Sequence, residues 1–155
     1  QTLAKRLTGL GFGAAAKAWI GTDGDPVLLA AADLADGDAR AALTRSAGLS
    51  GTEAEAVRAQ ALLALGQPAG AADLLAKRGG ETADLTLSAR IQARDWAYLR
   101  DAGPSDWQAA ARELAPSPQS GGPLTDGRAV LTQSAATRAA IDKLLAAIPE
   151  PSAEP

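Results

Sequence analysis

Residues 52–77 read TEAEAVRAQALLALGQPAGAADLLAK and carry the pattern of two helices joined by one tight turn. The first helix is predicted over residues 53–65 and the second over 69–77, because alanine and leucine lose little conformational entropy on entering a helix. Gly66-Gln67-Pro68 separates the two helices, and its glycine can adopt the left-handed conformation that ends a helix. This segment therefore predicts a helical hairpin.

The whole chain shares the composition of this hairpin. Its 155 residues include 39 alanines and 21 leucines, whereas valine, isoleucine, phenylalanine, tyrosine and tryptophan together number only 12. A sheet core needs β-branched and aromatic residues to fill its pleated faces. The composition therefore predicts an all-α fold without strands, with more than about 60% of residues in helices.

Turn-forming residues divide the rest of the chain into short helices. Asp25 is suited to an N-cap, capping boxes are predicted to begin at Thr52 and Ser105, and Gly79-Gly80 predicts a left-handed cap. Beyond residues 52–77, helices are predicted over 2–10, 14–20, 26–35, 39–46, 82–94, 96–101 and 105–114.

The C-terminal part is set off by proline, glycine and serine. Residues 116–123 are predicted to be a linker, 124–133 and 135–148 two closing helices, and 149–155 a disordered tail. The closing pair is expected to fold back as a cap, with an apolar stripe turned inward and charged residues in water. The stripe consists of Val130, Leu131, Ala135, Ile141, Leu144, Leu145 and Ile148. The charged residues are Arg128, Arg138, Asp142 and Lys143.

Turn residues and small residues recur along the first hundred positions. The turn residues align as Gly11, Gly37, Gly66 and Arg94, at spacings of 26, 29 and 28 residues. Five residues after them come Ala16, Ala42, Ala71 and Leu99. Small residues let two helix axes approach closely, so the three alanines are predicted to be buried where paired helices cross. One hairpin cannot bury its apolar face alone, so neighbouring hairpins are expected to stack.

The inter-helix turn of the tetratricopeptide repeat (TPR) family is similar to two turns of this chain, Gly37-Asp38…Ala42 and Gly66-Gln67…Ala71. The pair Asp95-Trp96 resembles the Asp-aromatic pair of the same turn. The resemblance covers residues 3–101, although the period is shorter than the family's 34 residues. It implies a right-handed stack of antiparallel helical hairpins, a TPR-like α-solenoid, over residues 1–115, closed by the C-terminal helical cap. The alternative architecture is an irregular alanine-rich helical bundle.

The residue types present exclude many chemistries. The chain has no cysteine or histidine, so it can form neither a disulfide, a thiolate nucleophile, a Cys/His zinc site nor a Ser-His-Asp triad. Residues 9–14 match a dinucleotide-binding pattern, but no predicted strand precedes them as that site requires. The segments 23–25 and 36–38 are interpreted as turn residues, since they lack the further carboxylates of a calcium loop. No catalytic, cofactor-binding or metal-binding residue is predicted.

The charge and hydropathy of the chain limit the classes of partner that it is expected to bind. The net charge of −3 is spread evenly and leaves no basic stripe for nucleic acid, and no apolar stretch approaches the roughly 20 residues that span a bilayer. The composition is typical of a bacterial protein, and the lack of cysteine fits either cytoplasm or periplasm. Because the chain opens with Gln1 close to a predicted helix, we expect it to be the C-terminal part of a longer protein.

Helical-hairpin stacks bind protein segments on an extended surface, so the predicted function is a protein-interaction scaffold or adaptor without catalysis. The partner is expected to be another protein or the rest of its own longer chain, and the first hairpin, which lacks a polar cap, is expected to meet it. The alternative function is the non-catalytic superhelical region of a larger bacterial enzyme, such as a peptidoglycan-cleaving enzyme. Because tryptophan and tyrosine are enriched among binding hot spots, the candidate contact residues are Trp19, Trp96, Tyr98 and Trp107.

Overall fold

A computed structural model of the chain describes residues 2–76, 82–115 and 127–146. Of these residues 79% are helical and none forms a strand, which confirms the all-α prediction. The chain divides into two compact units, residues 1–93 and 94–155, so the division falls within the predicted repeat region 1–115. The predicted linker 116–123, the tail 149–155 and the cap at Gly79-Gly80 lie outside the described residues.

The described part of the first unit is a succession of short helices. They are α1 (Thr2–Gly9), α2 (Gly13–Ile20), α3 (Pro26–Ala35), α4 (Ala39–Ser46), α5 (Thr52–Ala64), α6 (Pro68–Leu75) and α7 (Ala83–Gln92). Each helix packs against the next, and α1, α3, α5 and α7 also pack against one another in that order. The odd-numbered helices therefore form one row.

The turns between α1 and α2, α3 and α4, and α5 and α6 share one backbone conformation. Gly11, Gly37 and Gly66 have φ angles of 80°, 85° and 71°. Each glycine N–H donates to the carbonyl three residues earlier, and the next N–H donates to the carbonyl five residues earlier. These paired bonds define the Schellman motif, which satisfies carbonyls left unpaired at a helix end. At the fourth aligned position Arg94 also has a positive φ, of 54°.

The predicted burial of the small residue in each hairpin is confirmed. Ala16, Ala42 and Ala71 are all fully buried. Around Ala71 the core consists of Ala59, Ala72, Leu75 and Ala89, with partly buried leucines packed against them. Alanine at these positions allows the close approach of neighbouring helices, because nothing larger than a methyl group stands between their backbones.

Replacing Ala71 with leucine is expected to overpack this contact and lower the free energy of unfolding by about 1–3 kcal/mol. The matched control is Ala69→Leu, which adds the same atoms to an exposed position on the same helix. Urea unfolding monitored by far-ultraviolet circular dichroism measures both variants. Equal stability of the two variants would show that Ala71 is not confined as the structure describes.

The second unit contains α8 (Trp96–Ala102), α9 (Ser105–Leu114) and α10 (Gly127–Ala146), with α9 packed against both of the others. The prediction of two closing helices is wrong, because α10 runs without interruption through Ser134. Serine does not stop this helix: its hydroxyl oxygen lies 3.0 Å from the Arg138 guanidinium one turn later, and neither glycine nor proline is nearby.

The predicted inward-facing stripe of α10 is also wrong. Leu131, Ile141 and Leu145 are exposed, and Ala135 is exposed as well. Of the described stripe residues Leu144 is partly buried as predicted, and the other partly buried side chains are Ser134, Ala136, Thr137 and Ala140. These four are small, so α10 packs through its smaller side chains, and an ion pair of 3.0 Å joins Lys143 to Asp106 on α9. Arg138, Asp142 and Lys143 are exposed as predicted, whereas Ile148 and the side chains of Arg128 and Val130 lie outside the description.

Two of the predicted helix caps differ from those observed. The first intrahelical bonds are accepted by the carbonyls of Gly51 and Pro104, so α5 and α9 begin one residue earlier than the predicted capping boxes require. Thr52 and Ser105 are therefore the first helical residues and not the N-caps. The prediction for Asp25 is confirmed, because its carboxylate accepts a hydrogen bond of 2.9 Å from the Val27 N–H.

Candidate partner-binding surface

The large hydrophobic side chains that are exposed in the described first unit all belong to its first hairpin. Leu3 is 46% exposed, Leu10 68%, Phe12 58% and Trp19 65%. Ala15 and Trp19, four residues apart, lie on one face of α2, and Phe12 is the residue at its N-cap. Leu3 lies in the first turn of α1, and Leu10 directly follows its last residue. We call these five residues the first-hairpin surface.

The second hairpin differs at the matching positions. Twenty-six residues further on, the residues are Leu29, Asp36, Asp38, Ala41 and Arg45. Leu29 is buried in α3, against which α1, α2, α4 and α5 pack, whereas Leu3 of α1 is exposed. Three of the other positions carry charges in the second hairpin and apolar side chains in the first. The first-hairpin surface is therefore more apolar than its counterpart as well as more exposed.

A cavity of about 250 Å³ opens beside Trp19. It is bounded by the first turn of α1, the end of α2, the loop before α3 and the first turn of α3. The lining residues are Ala4, Trp19, Ile20, Gly24, Asp25 and Leu28. Gly24 is required for this loop, since a Cβ there would overlap the Ile20 side chain and lie 2.8 Å from the Ile20 carbonyl oxygen. The lining residues are thus mainly apolar, and Asp25 is the charged one among them.

Ion pairs join α2, the helix that carries Trp19, to α3, and join α3 to α4. Asp33 of α3 is only 4% exposed and lies 3.3 Å from the Lys17 ammonium and 2.8 Å from Nε of Arg45. The same ammonium lies 2.5 Å from the Asp36 carboxylate. Paired in this way, the buried carboxylate avoids the desolvation cost of an isolated charge.

Asp36 also completes the N-terminus of α2. Phe12 occupies the N-cap of this helix and provides no side-chain hydrogen bond, but the Asp36 carboxylate accepts one from the Ala14 N–H. A negative charge is favourable there because the helix dipole places partial positive charge at its N-terminus. A residue of the second hairpin therefore stabilises the N-terminus of α2 in the first hairpin.

This contact predicts a specific pH dependence. The hydrogen bond to Lys17 lowers the pKa of Asp36 below its ordinary value of 3.8, and the same bond raises the pKa of Lys17 above 10.5. Because the folded-state pKa of Asp36 is the lower one, its contribution to stability is complete above pH 3.8 and is lost as the pH falls through the folded-state value. The contribution of Lys17 is complete below pH 10.5 and is lost as the pH rises through its raised pKa.

We expect Asp36→Asn to remove the acid-sensitive part of this contribution while keeping an acceptor for the Ala14 N–H. The difference in melting temperature between this variant and the wild type should therefore shrink as the pH falls below 3.8. Lys17→Gln serves as the matched control, because it removes the other partner of the ion pair. In a Lys17→Gln background, adding Asp36→Asn should change the melting temperature by the same amount at neutral and at low pH. A difference that stays constant with pH would contradict the assignment.

The four predicted contact residues fall into different units. Trp19 is exposed in the first unit, whereas Trp96, Tyr98 and Trp107 are half-buried in the second. Asp95, which precedes Trp96, caps α8 by accepting a hydrogen bond of 3.1 Å from the Tyr98 N–H. Sequence reasoning missed Leu3, Leu10 and Phe12 as surface residues. The signal available for Leu10 and Phe12 was the alignment itself, in which both align with aspartates of the second hairpin, whereas Leu3 aligns with Leu29 and carries no such signal.

The described residues contain no group of three side chains able to hold a metal ion, and none of their helices is both long and apolar enough to cross a membrane. Comparisons with protein-family models, curated proteins and solved structures found no match. Function is therefore inferred from the chemistry of the chain's own surface.

Proposed function

We propose that this chain is a protein-interaction scaffold or adaptor, built from TPR-like stacked helical hairpins, that binds a protein partner through the first-hairpin surface and performs no catalysis. The observation that carries the proposal is the concentration of exposed Leu3, Leu10, Phe12 and Trp19 on one short hairpin. Clustered exposed apolar side chains are uncommon on monomers except where they bind something. Aromatic residues such as Trp19 supply much of the affinity at such surfaces.

Two features of the fold support a stacked arrangement. The same Schellman turn occurs in three successive hairpins, and the odd-numbered helices form one row. The exposed large apolar side chains of the described first unit belong to the first hairpin of this row. The lack of histidine and cysteine agrees with a role in binding.

The proposal is tested by selecting binders from a displayed library of random peptides with the full chain as bait. We expect the selected peptides to be rich in apolar residues and to lose at least tenfold in affinity for the double variant Leu10→Ser/Trp19→Ser, equivalent to about 1.4 kcal/mol. Leu131→Ser/Leu145→Ser is the matched control, because it removes two equally exposed leucines from α10. Peptides that bind both double variants equally well would overturn the proposal, as would a library that yields no binder.

A further inference from the structure

We propose that the cavity beside Trp19 receives an arginine or lysine side chain of the bound partner. This inference rests on the proposed function and specifies the chemistry of the partner at one point of the first-hairpin surface. The size of the cavity already limits the ligand, because its volume of about 250 Å³ is smaller than that of typical small-molecule sites, roughly 300–1,000 Å³. The cavity therefore suits a single side chain better than a cofactor.

The charge of the cavity is negative. Asp25 is the charged residue among its lining residues, and Oδ1 of its carboxylate accepts the Val27 N–H at 2.9 Å. An ionised carboxylate has about four acceptor sites, so this bond leaves capacity for a further donor. The same loop carries Asp23 and no basic residue.

The helix ends around the cavity are of both signs. The C-terminus of α2 reaches it at Trp19 and Ile20 and carries partial negative charge, whereas the first turns of α1 and α3 carry partial positive charge. At α3, Pro26 has no N–H and the Val27 N–H is already bonded to Asp25. The nearby cations Lys17 and Lys5 are paired with Asp36 and Glu53 respectively. Among the described lining residues, Asp25 is charged and none is a lysine or arginine.

Trp19 adds a second reason for a basic side chain. Its indole ring is exposed on the cavity wall, and a guanidinium or ammonium group over such a ring gains a cation–π interaction. The aliphatic stem of arginine or lysine would pack against Ile20 and Leu28. A purely apolar side chain would instead desolvate the Asp25 carboxylate without compensation, and an acidic one would be repelled by it.

The experiment titrates the ¹⁵N-labelled full chain with N-acetyl-arginine amide, N-acetyl-leucine amide and N-acetyl-glutamate amide. The arginine probe is expected to shift the Trp19 indole N–H and the backbone amides of Gly24 and Asp25, and to bind more tightly than the other two. Asp25→Asn should weaken it about fivefold, because asparagine keeps the N-cap but not the charge. The control is Asp23→Asn, which removes a charge from the same loop but outside the cavity lining. This variant should leave the affinity for the arginine probe unchanged.

Several results would overturn the inference. They are no shift at Trp19 with the arginine probe, a leucine probe that binds as tightly at these resonances, or an Asp25→Asn variant that binds arginine as the wild type does. These outcomes are separate from failure of the proposed function. Library peptides that depend on Leu10 and Trp19 but not on Asp25 would leave the scaffold standing without this pocket. If arginine binds at Asp25 but the library peptides do not depend on the first-hairpin surface, the pocket assignment stands and the proposed scaffold function fails.

Discussion

Replacing Gly13 with alanine is expected to lower the free energy of unfolding of the first unit by about 3 kcal/mol, the upper part of the usual range for overpacking. A Cβ at Gly13 would overlap the carbonyl oxygen of Ala32 and lie 2.7 Å from the amide nitrogen of Asp36. Both atoms belong to the backbone of α3 and its cap, so no side-chain rotation can relieve the overlap. The start of α2 would have to move away from α3, which weakens the Asp36 contacts at the same time.

Gly9→Ala is the matched control for this substitution. Gly9 has no atom within 4 Å of its added Cβ and lies at the end of α1, so alanine there should be neutral or stabilising by up to about 1 kcal/mol. Urea unfolding is followed by Trp19 fluorescence in a Trp96→Phe/Trp107→Phe background, so that the signal reports the first unit alone. If Gly13→Ala unfolds at the same urea concentration as Gly9→Ala, then α2 and α3 do not approach as closely as described.

Leu75→Ala is expected to cost about 3–4 kcal/mol, within the range of 2–5 kcal/mol known for buried leucines. Leu75 is fully buried and is among the largest side chains of the described core that are completely enclosed. Its buried neighbours in the cluster are Ala59, Ala71, Ala72 and Ala89. Alanine side chains have no rotamers with which to fill a void, so the cavity should remain largely open and the cost should exceed the transfer energy of the lost atoms.

The same fluorescence assay measures this loss, with Leu10→Ala as control. Leu10 is 68% exposed, so its truncation should change stability by less than about 0.5 kcal/mol. That variant also separates folding from binding, because Leu10 belongs to the first-hairpin surface. A stability loss for Leu75→Ala of the size seen for Leu10→Ala would show that the cluster around Leu75 is loosely packed.

Features that depend on a few adjacent residues follow from the sequence. Gly11, Gly37 and Gly66 are turn residues because a positive φ is cheap only for glycine, and the bonds that complete each turn join residues at most five positions apart. Asp25 caps α3 for the same local reason. Even the burial of Ala16, Ala42 and Ala71 follows from recurrence in the sequence, since a small residue at a constant distance from a turn marks the helix crossing.

The prediction for α10 failed because more than one face of this helix is suited to packing. In α10 the larger apolar residues suggested an inward stripe, but Ala136, Thr137 and Ala140 are partly buried whereas Leu131 is exposed. Hydrophobicity favours burial of the leucines, whereas close approach of two helices favours small residues, and the sequence of α10 offers both. The predictions of capping boxes at Thr52 and Ser105 were wrong for another reason. Each helix begins one residue earlier than predicted, so these two residues are helical and are not N-caps.

The sequence by itself determined the all-α content, the helical hairpins and the residues at their turns, since each follows from propensity or from hydrogen bonds within one turn. Only the tertiary structure decided which apolar residues stay exposed. Leu29 is buried and Leu3 is exposed although they occupy aligned positions, because α1, α2, α4 and α5 all pack against α3 whereas α2 and α3 pack against α1. It also placed Asp33 between Lys17 and Arg45, and brought Trp19 and Asp25 to one cavity. Burial and charge pairing depend on neighbours distant in the chain, and those neighbours exist only once the helices have packed.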